Sequence, residues 1–326
     1  MRAALLGVLL AATVAAPVAA QPKRVAPPPA STPAPAPPAP PAPSANADEA
    51  FGAYQRGFYL TALRAATARA EQGDAAAMTL LGELYSQGLG VSRDIKKAAD
   101  WYKLAADRGD RNAIFALGMI NFDGRLGQRN MTEAIRLFTD AAKRGHVIAA
   151  YDLGLLYLQG HEVTQDFAHA AALFTDAANA GNPEAQYALA TMYKEGRGVP
   201  KDPAKAMALM GQAALAGNVD AMVEYAIGEF NGDGVAKNES AAAQLFLKAA
   251  RHGSAIAQNR LARILMAGRG MPADPTEAIK WHIIAKAGGA GDPELDIFAA
   301  KQKPDVRDAA DKAAKKWLAG APGLKS

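Results

Sequence analysis

The hydrophobic pattern of the chain first becomes regular between residues 75 and 87. The apolar positions in this stretch recur at the spacing of one helix face, at Ala77, Leu81, Leu84 and Tyr85. The pattern ends at Gly88 and Gly90, and glycine suits the left-handed turn that closes a helix. A second helical pattern follows Asp94, a residue type that caps helix starts, and its inward positions are Ala98, Trp101, Tyr102 and Ala105. The stretch therefore predicts two helices, A and B, joined by a short turn.

This pair of helices is repeated along the chain at an interval of 36 residues. Glycine recurs at positions 73, 109, 145, 181, 217, 253 and 289, and again at 88, 124, 160, 196, 232 and 268. The place of Asp94 is taken by residues that also cap helices: Asn130, Asp166, Asp202, Asn238 and Asp274. Six units run from residue 74 to residue 289 without an insertion. A glycine-marked period of this length is typical of a solenoid, in which neighbouring units bury each other's apolar faces.

The units resemble Sel1-like repeats, which are relatives of the tetratricopeptide repeats. The resemblance rests on LGELYSQGLGVSRDIKKAADWYKLAADRG at residues 81–109 and on copies such as LATMYKEGRGVPKDPAKAMALMGQAALAG at residues 189–217. Leu126 and Glu162 depart from it by replacing the second turn glycine, and Glu229 and Leu265 by replacing the helix-A tyrosine. The resemblance implies an all-α fold, a right-handed α/α superhelical solenoid of helix-turn-helix repeats. It also implies protein–protein interaction as the general role.

The segments outside the repeats have patterns of their own. Residues 1–20 combine Arg2, an uncharged apolar stretch and small residues at positions 17–20, which is typical of a secretory signal peptide; an uncleaved anchor is the alternative. Residues 21–46 are rich in proline and alanine and predict a disordered linker, or a ligand for a proline-binding groove or the cell wall. We expect a degenerate repeat at residues 47–73 and capping helices at 290–326, with Trp317 as an apolar plug. The predicted location is periplasmic or secreted.

Composition and spacing argue against several classes of function. The net charge of +4 is not concentrated in any patch, which argues against nucleic-acid binding, and the chain contains no cysteine. No two of the five histidines lie three or four residues apart, and His146 and His252 adjoin turn glycines, where a histidine can contact helix-end carbonyls. Phosphate-binding and nucleophile motifs are not found, and no segment after the first twenty residues is apolar enough to span a membrane. The sequence thus predicts no catalytic residue, cofactor or metal site.

The candidate binding site is the side of helix A opposite its core positions. In unit one this side is polar at positions 79, 83 and 86, whereas in units two to five the equivalent positions are mostly apolar. The candidate residues are Phe115, Met119, Phe122, Tyr151, Leu155, Leu158, Tyr187, Val223, Ile227 and Phe230. Helix A lines the concave side of tetratricopeptide-like stacks, so the resemblance implies an apolar groove for a protein or peptide. The alternative is that these side chains pack between successive A helices and are not exposed.

Together these features favour an exported, non-enzymatic adaptor or scaffold. We expect a monomer that binds a protein or peptide of unknown identity in the groove, in envelope signalling or assembly. One alternative is a cell-envelope hydrolase or penicillin-binding enzyme, which needs a nucleophile with a base nearby. Another is a peptidoglycan-binding module.

Overall fold

The computed structural model describes residues 45–320, with side chains from residue 49, and every regular element in that range is an α-helix. The opening segment forms α1 (Ala45–Gln55) and α2 (Tyr59–Ala70). The six units follow as α3 (Ala75–Gln87) and α4 (Ile95–Ala106), α5 (Arg111–Asp123) and α6 (Met131–Lys143), α7 (Val147–Gln159) and α8 (Phe167–Asn179), α9 (Pro183–Glu195) and α10 (Pro203–Leu215), α11 (Val219–Asn231) and α12 (Glu239–Arg251), and α13 (Ala255–Ala267) and α14 (Pro275–Ala287). The chain closes with α15 (Pro293–Ala300) and α16 (Pro304–Gly320).

Several expected segments lie partly or wholly outside this range. The expected signal peptide at residues 1–20, the linker up to residue 44 and the last six residues of the C-terminal cap are not among the described residues. Because α1 begins at Ala45, the last two residues of the expected linker are helical. Among the helices between residues 45 and 320, none combines the length and apolarity that a bilayer crossing needs.

The ends of the repeat helices follow from side-chain caps and left-handed glycines. The Asp74 carboxylate accepts a hydrogen bond from the amide of Ala77, and α3 ends at Gly88, whose φ is 76°. Each B helix starts in the same way, because its cap residue accepts from the amide three positions on. This holds for Asp94, Asn130, Asp166, Asp202, Asn238 and Asp274. Local chemistry therefore sets the boundaries of the A and B helices, and α3 spans the residues predicted for it.

Within a unit, helices A and B approach closely through a pair of one small and one large residue. A Cβ atom added to Gly118 would lie 2.6 Å from the ring of Phe138, a side chain that is 1% exposed. The same arrangement brings Gly82 against Tyr102, and Gly154 against Phe174. In units four to six the small residue is an alanine, at Ala190, Ala226 and Ala262. In units one to three the glycine therefore allows the backbone of helix A to lie directly against an aromatic ring of helix B.

Successive units are joined because each B helix packs on the next A helix, and helices contact mainly their neighbours in the chain. The turn adds a second contact, since a Cβ atom on Gly198 would lie 2.2 Å from the Phe167 carbonyl oxygen at the start of α8. Gly270 is equally close to the carbonyl oxygen of Glu239. In units two and three the equivalent residues are Leu126 and Glu162, both exposed.

At the C-terminal end, α16 folds back against α14. Trp317 contacts Trp281 edge-to-face, with ring centroids 5.9 Å apart. Nearby, the buried His282 ring contacts Asp296 through Nε2 at 2.8 Å. These contacts cover the last unit, which would otherwise expose its apolar side.

Candidate functional site

The candidate residues lie on one side of the A helices, which we call the A-helix face: positions 79, 83 and 86 of unit one and their equivalents. Nine of the ten are half-buried: Phe115, Met119, Phe122, Tyr151, Leu155, Leu158, Tyr187, Ile227 and Phe230. Val223 is 5% exposed and belongs to the core, because this short side chain does not extend outward as Phe115 and Tyr151 do at the equivalent position. The strip is therefore partly accessible and partly packed.

Pockets lie between neighbouring A helices along this face. The first, of about 700 Å³, lies across α3, α5 and the start of α7, and the second, of about 260 Å³, lies between α5 and α7. Two more, of about 340 and 320 Å³, adjoin α11 on its two sides. The candidate residues in these pockets are Phe115, Met119, Phe122, Leu155, Ile227 and Phe230. Six of the ten predicted residues thus line pockets along this face, whose walls combine apolar and polar side chains.

The other three half-buried candidates pack mainly against neighbouring helices. The Tyr151 ring lies 5.8 Å from that of Phe174, which is in the interior of unit three. Leu158 packs on the same core, and Tyr187 packs on the core that follows it in the chain. Burial raises the pKa values of both tyrosine hydroxyls. The middle of the face is therefore formed by side chains whose inner parts are fixed and whose outer parts remain accessible.

Phe115 is held in place by His146, whose role differs from the one predicted from the sequence. The imidazole does not meet a helix-end carbonyl; it caps the start of α7, where its Nδ1 accepts from the Ala149 amide at 3.0 Å. The Phe115 ring stacks on it with a centroid separation of 4.4 Å. Burial, with a smaller contribution from Arg111, lowers the pKa of His146, which favours the neutral imidazole that this cap requires. His146 therefore has a structural role: it fixes the position of Phe115 in the wall of the first pocket.

The second pocket contains a charged residue that was not among those predicted from the sequence. We call it the Asp152 pocket; its lining residues are Met119, Phe122, Phe138, Asp152, Leu155, Leu156 and Gln159. Asp152 makes no hydrogen bond or ion pair with any residue in the described range, and burial raises its pKa to about 6. The equivalent positions in units one, two and four are apolar, at Leu80, Ala116 and Ala188. In unit five the equivalent residue is Glu224, which pairs with Lys194 at 2.7 Å. A change from apolar to acidic residues in this series is the signal that could have identified Asp152.

The charge of the face changes along the chain. Glu184 and Asp220 are exposed acids in units four and five, whereas unit six has Arg260 and Arg263 on the same face. Arg263 is compensated, because its Nε lies 2.6 Å from the carboxylate of Asp292. The middle units thus carry exposed acids beside the face, and the one basic residue on it there, Lys194, is paired with Glu224 at 2.7 Å, whereas unit six carries arginines.

The outer side of the B helices is different in character. In unit one it consists of exposed polar residues, at Lys96, Lys97, Asp100 and Lys103. Two isolated leucines, Leu104 and Leu215, are exposed on B helices, and single exposed leucines are common on protein surfaces. Within residues 49–320 no group of three acidic or histidine side chains is arranged to hold a metal ion. The arrangement on the A-helix face is suited to binding by shape, apolar contact and charge.

Helix pairs stacked in one register define an α-solenoid, a class of helical repeat proteins. The Sel1 repeat family model matches residues 75–110, 111–146, 147–182, 183–218, 219–254 and 255–289. The chain therefore belongs to the Sel1 repeat family, and the fold predicted from the sequence is confirmed as a solenoid of these repeats. Sel1 repeat proteins are generally non-catalytic scaffolds for protein interactions.

Two solved structures are similar to this chain over most of its length. A Sel1 repeat protein from Oxalobacter formigenes is 28% identical, with a TM-score of 0.62, and the match covers 74% of this chain and 96% of that one. The c5321 protein of uropathogenic Escherichia coli, described as a protective antigen displaying an SLR fold, is 25% identical, with a TM-score of 0.56. That match covers 86% of this chain and 70% of c5321. No curated protein matches the sequence.

Proposed function

We propose that the A-helix face is the concave groove of the solenoid, and that this protein is an exported, non-enzymatic adaptor or scaffold that binds a protein or peptide there. The observation that carries the proposal is the row of pockets between neighbouring A helices, lined by half-buried Phe, Met, Leu and Ile side chains. Export to the periplasm or beyond rests on the signal-like residues 1–20. In that location we propose a role in envelope signalling or assembly.

The half-buried state of these side chains favours binding. A ring whose inner edge is already packed loses little conformational freedom when a partner covers its outer edge. Phe122 and Phe230 are further held by guanidinium groups, because Arg129 lies 5.0 Å and Arg269 4.4 Å from their ring centroids. Such pre-organised aromatic side chains are the kind of residue that dominates binding energy at protein interfaces.

Substitution of Phe122 and Phe230 by aspartate tests this proposal. A partner is first identified by crosslinking in the cell envelope and purified, and its affinity is then measured for each variant. We expect each substitution to preserve the helical circular dichroism and to weaken binding by roughly 30-fold or more, as for a hot-spot residue. The control is Leu104→Asp, which places the same charge at an exposed leucine of a B helix.

Three results would contradict the proposal. Unfolding of both phenylalanine variants would show that the strip is core. An unchanged affinity would place the partner on another surface. Turnover of cell-wall material by the purified protein, abolished by one point substitution, would establish a hydrolase instead.

A further inference from the structure

The Asp152 pocket combines apolar walls with one carboxylate that has no counter-charge among residues 49–320. Met119 and Phe122 extend from α5, and Leu155 follows Asp152 by one turn on α7. Gln159 is the other polar residue of the lining. Asp152 is half-buried, so its side chain retains some contact with solvent when no partner is bound.

A partner that covered this pocket with an apolar group alone would incur a penalty. It would remove water from the Asp152 carboxylate and give no hydrogen bond or opposite charge in return. Even with its pKa raised to about 6, this acid is mostly ionised at neutral pH. The occupant that avoids the penalty must carry apolar surface and a positive charge in one side chain.

Lysine and arginine have this combination. Their methylene stems pack on apolar surface while the charged group remains free to bind. A stem lying against Met119, Phe122 and Leu155 would bring the ammonium or guanidinium group to Asp152. The exposed acids Glu184 and Asp220 lie on the two following A helices and favour the approach of the same charge.

We propose that the Asp152 pocket binds a lysine or arginine side chain of a protein partner, held in a segment that also places large apolar residues on the A-helix face. The inference rests on the proposed function, because it names the chemistry of the partner in the same groove. In this proposal Asp152 selects for a basic segment, and the aromatic residues of the A-helix face provide affinity for apolar side chains in general.

A display library of random twelve-residue peptides, selected against the full-length chain, tests the inference. We expect the enriched peptides to share a lysine or arginine beside a large apolar residue. Asp152→Asn, which preserves the shape of the side chain, should weaken binding of the best peptide by about 10-fold or more, the effect of losing a charged hydrogen bond. The control is Asp176→Asn, which removes the same charge from an exposed position on α8 and should leave the affinity unchanged.

A charge exchange makes the test specific to this pair. The Asp152→Lys variant should bind the selected peptide weakly, and should recover affinity for the same peptide with glutamate in place of its basic residue. Recovery supports a direct contact, because a general loss of structure would not be reversed by a change in the peptide.

The outcomes separate this inference from the proposed function. Enriched peptides without a basic residue, or full affinity for Asp152→Asn, would overturn the pocket assignment alone if Phe122→Asp still abolishes binding. Binding that survives Phe122→Asp and Phe230→Asp would overturn both. Light scattering that shows a dimer, lost in Phe122→Asp, would make a second copy the occupant and would also overturn the inference.

Discussion

Gly118→Ala is the most direct test of how helices A and B pack within a unit. The added Cβ would lie 2.6 and 2.7 Å from two ring atoms of Phe138, closer than van der Waals contact allows. Phe138 is 1% exposed and is packed in a cluster with Ala134, Leu153 and Leu156, so its ring has little room to move away. The two helices must therefore separate, or the ring must leave its preferred rotamer.

Two effects of opposite sign decide the size of the change. Overpacking of this kind costs about 1–3 kcal/mol. The change from glycine to alanine inside a helix contributes about 0.5–1 kcal/mol of stability in return. Because the contact distances are well below van der Waals contact, we expect the first effect to win, with a net loss of about 0.5–2 kcal/mol. At about 2–4 °C per kcal/mol for a protein of this size, the midpoint should fall by a few degrees.

Thermal unfolding followed by circular dichroism measures this change. The double variant Gly118→Ala/Phe138→Met copies unit four, where Ala190 and Met210 are both buried, and it should lose less stability than the two single changes added together. A higher midpoint for Gly118→Ala would refute the reasoning. It would mean that the helices adopt the arrangement of unit five, where Ala226 and Phe246 are both buried, without cost.

Three further predictions concern stability. Gln186→Met should leave the unfolding midpoint unchanged or raise it, because the buried Oε1 of Gln186 has no hydrogen-bond partner among residues 49–320 and methionine holds the equivalent position in units one and five. A lower midpoint would show that the hydrogen bond from Gln186 Nε2 to the Ala178 carbonyl contributes more than the unpaired oxygen costs. Asp94→Ala should cost about 1 kcal/mol in urea unfolding through loss of the cap of α4, and an unchanged midpoint would contradict that role. Burial alone would raise the pKa of Asp292, but hydrogen bonds, first from Arg263, lower it below the ordinary value. The ionised carboxylate therefore stabilises the folded protein above the unfolded pKa of about 3.9, and this stabilisation is lost as pH falls through the lowered folded-state pKa. Asp292→Asn should therefore be less stable than the parent at pH 7 and approach it below pH 3, and an equal difference at both pH values would contradict this.

The repeat fold could be predicted from the sequence because its signals are local. Helix boundaries depend on a cap residue such as Asp94 and a left-handed glycine such as Gly88, and both act within one turn of the chain. The contact between Gly118 and Phe138 follows the same logic, since small and large positions recur with the period of the units. Six copies made each signal visible against the variation at other positions.

The candidate site was less predictable because exposure depends on neighbouring helices. A helical wheel assigns Val223 and Tyr151 to the same side, and only side-chain length and packing separate the buried valine from the half-buried tyrosine. On the wheel, Asp152 falls outside the strip, between it and the core positions, so its place in a pocket required the spacing between α5 and α7. His146 as the cap under Phe115 also depends on a contact between separate units.

The constant length of the units also affects how the protein can change during evolution. Excision of one unit, such as residues 147–182, would join two ends that are equivalent in sequence and in register. Because each unit contacts mainly its neighbours, such a deletion creates one new interface between units, and that interface is of the same kind as the existing ones. Unequal recombination within the gene can therefore add or remove pockets singly. Loss of the unit at residues 147–182 would remove Asp152 and still leave an array that can fold. Partner choice can therefore change during evolution without a change of fold.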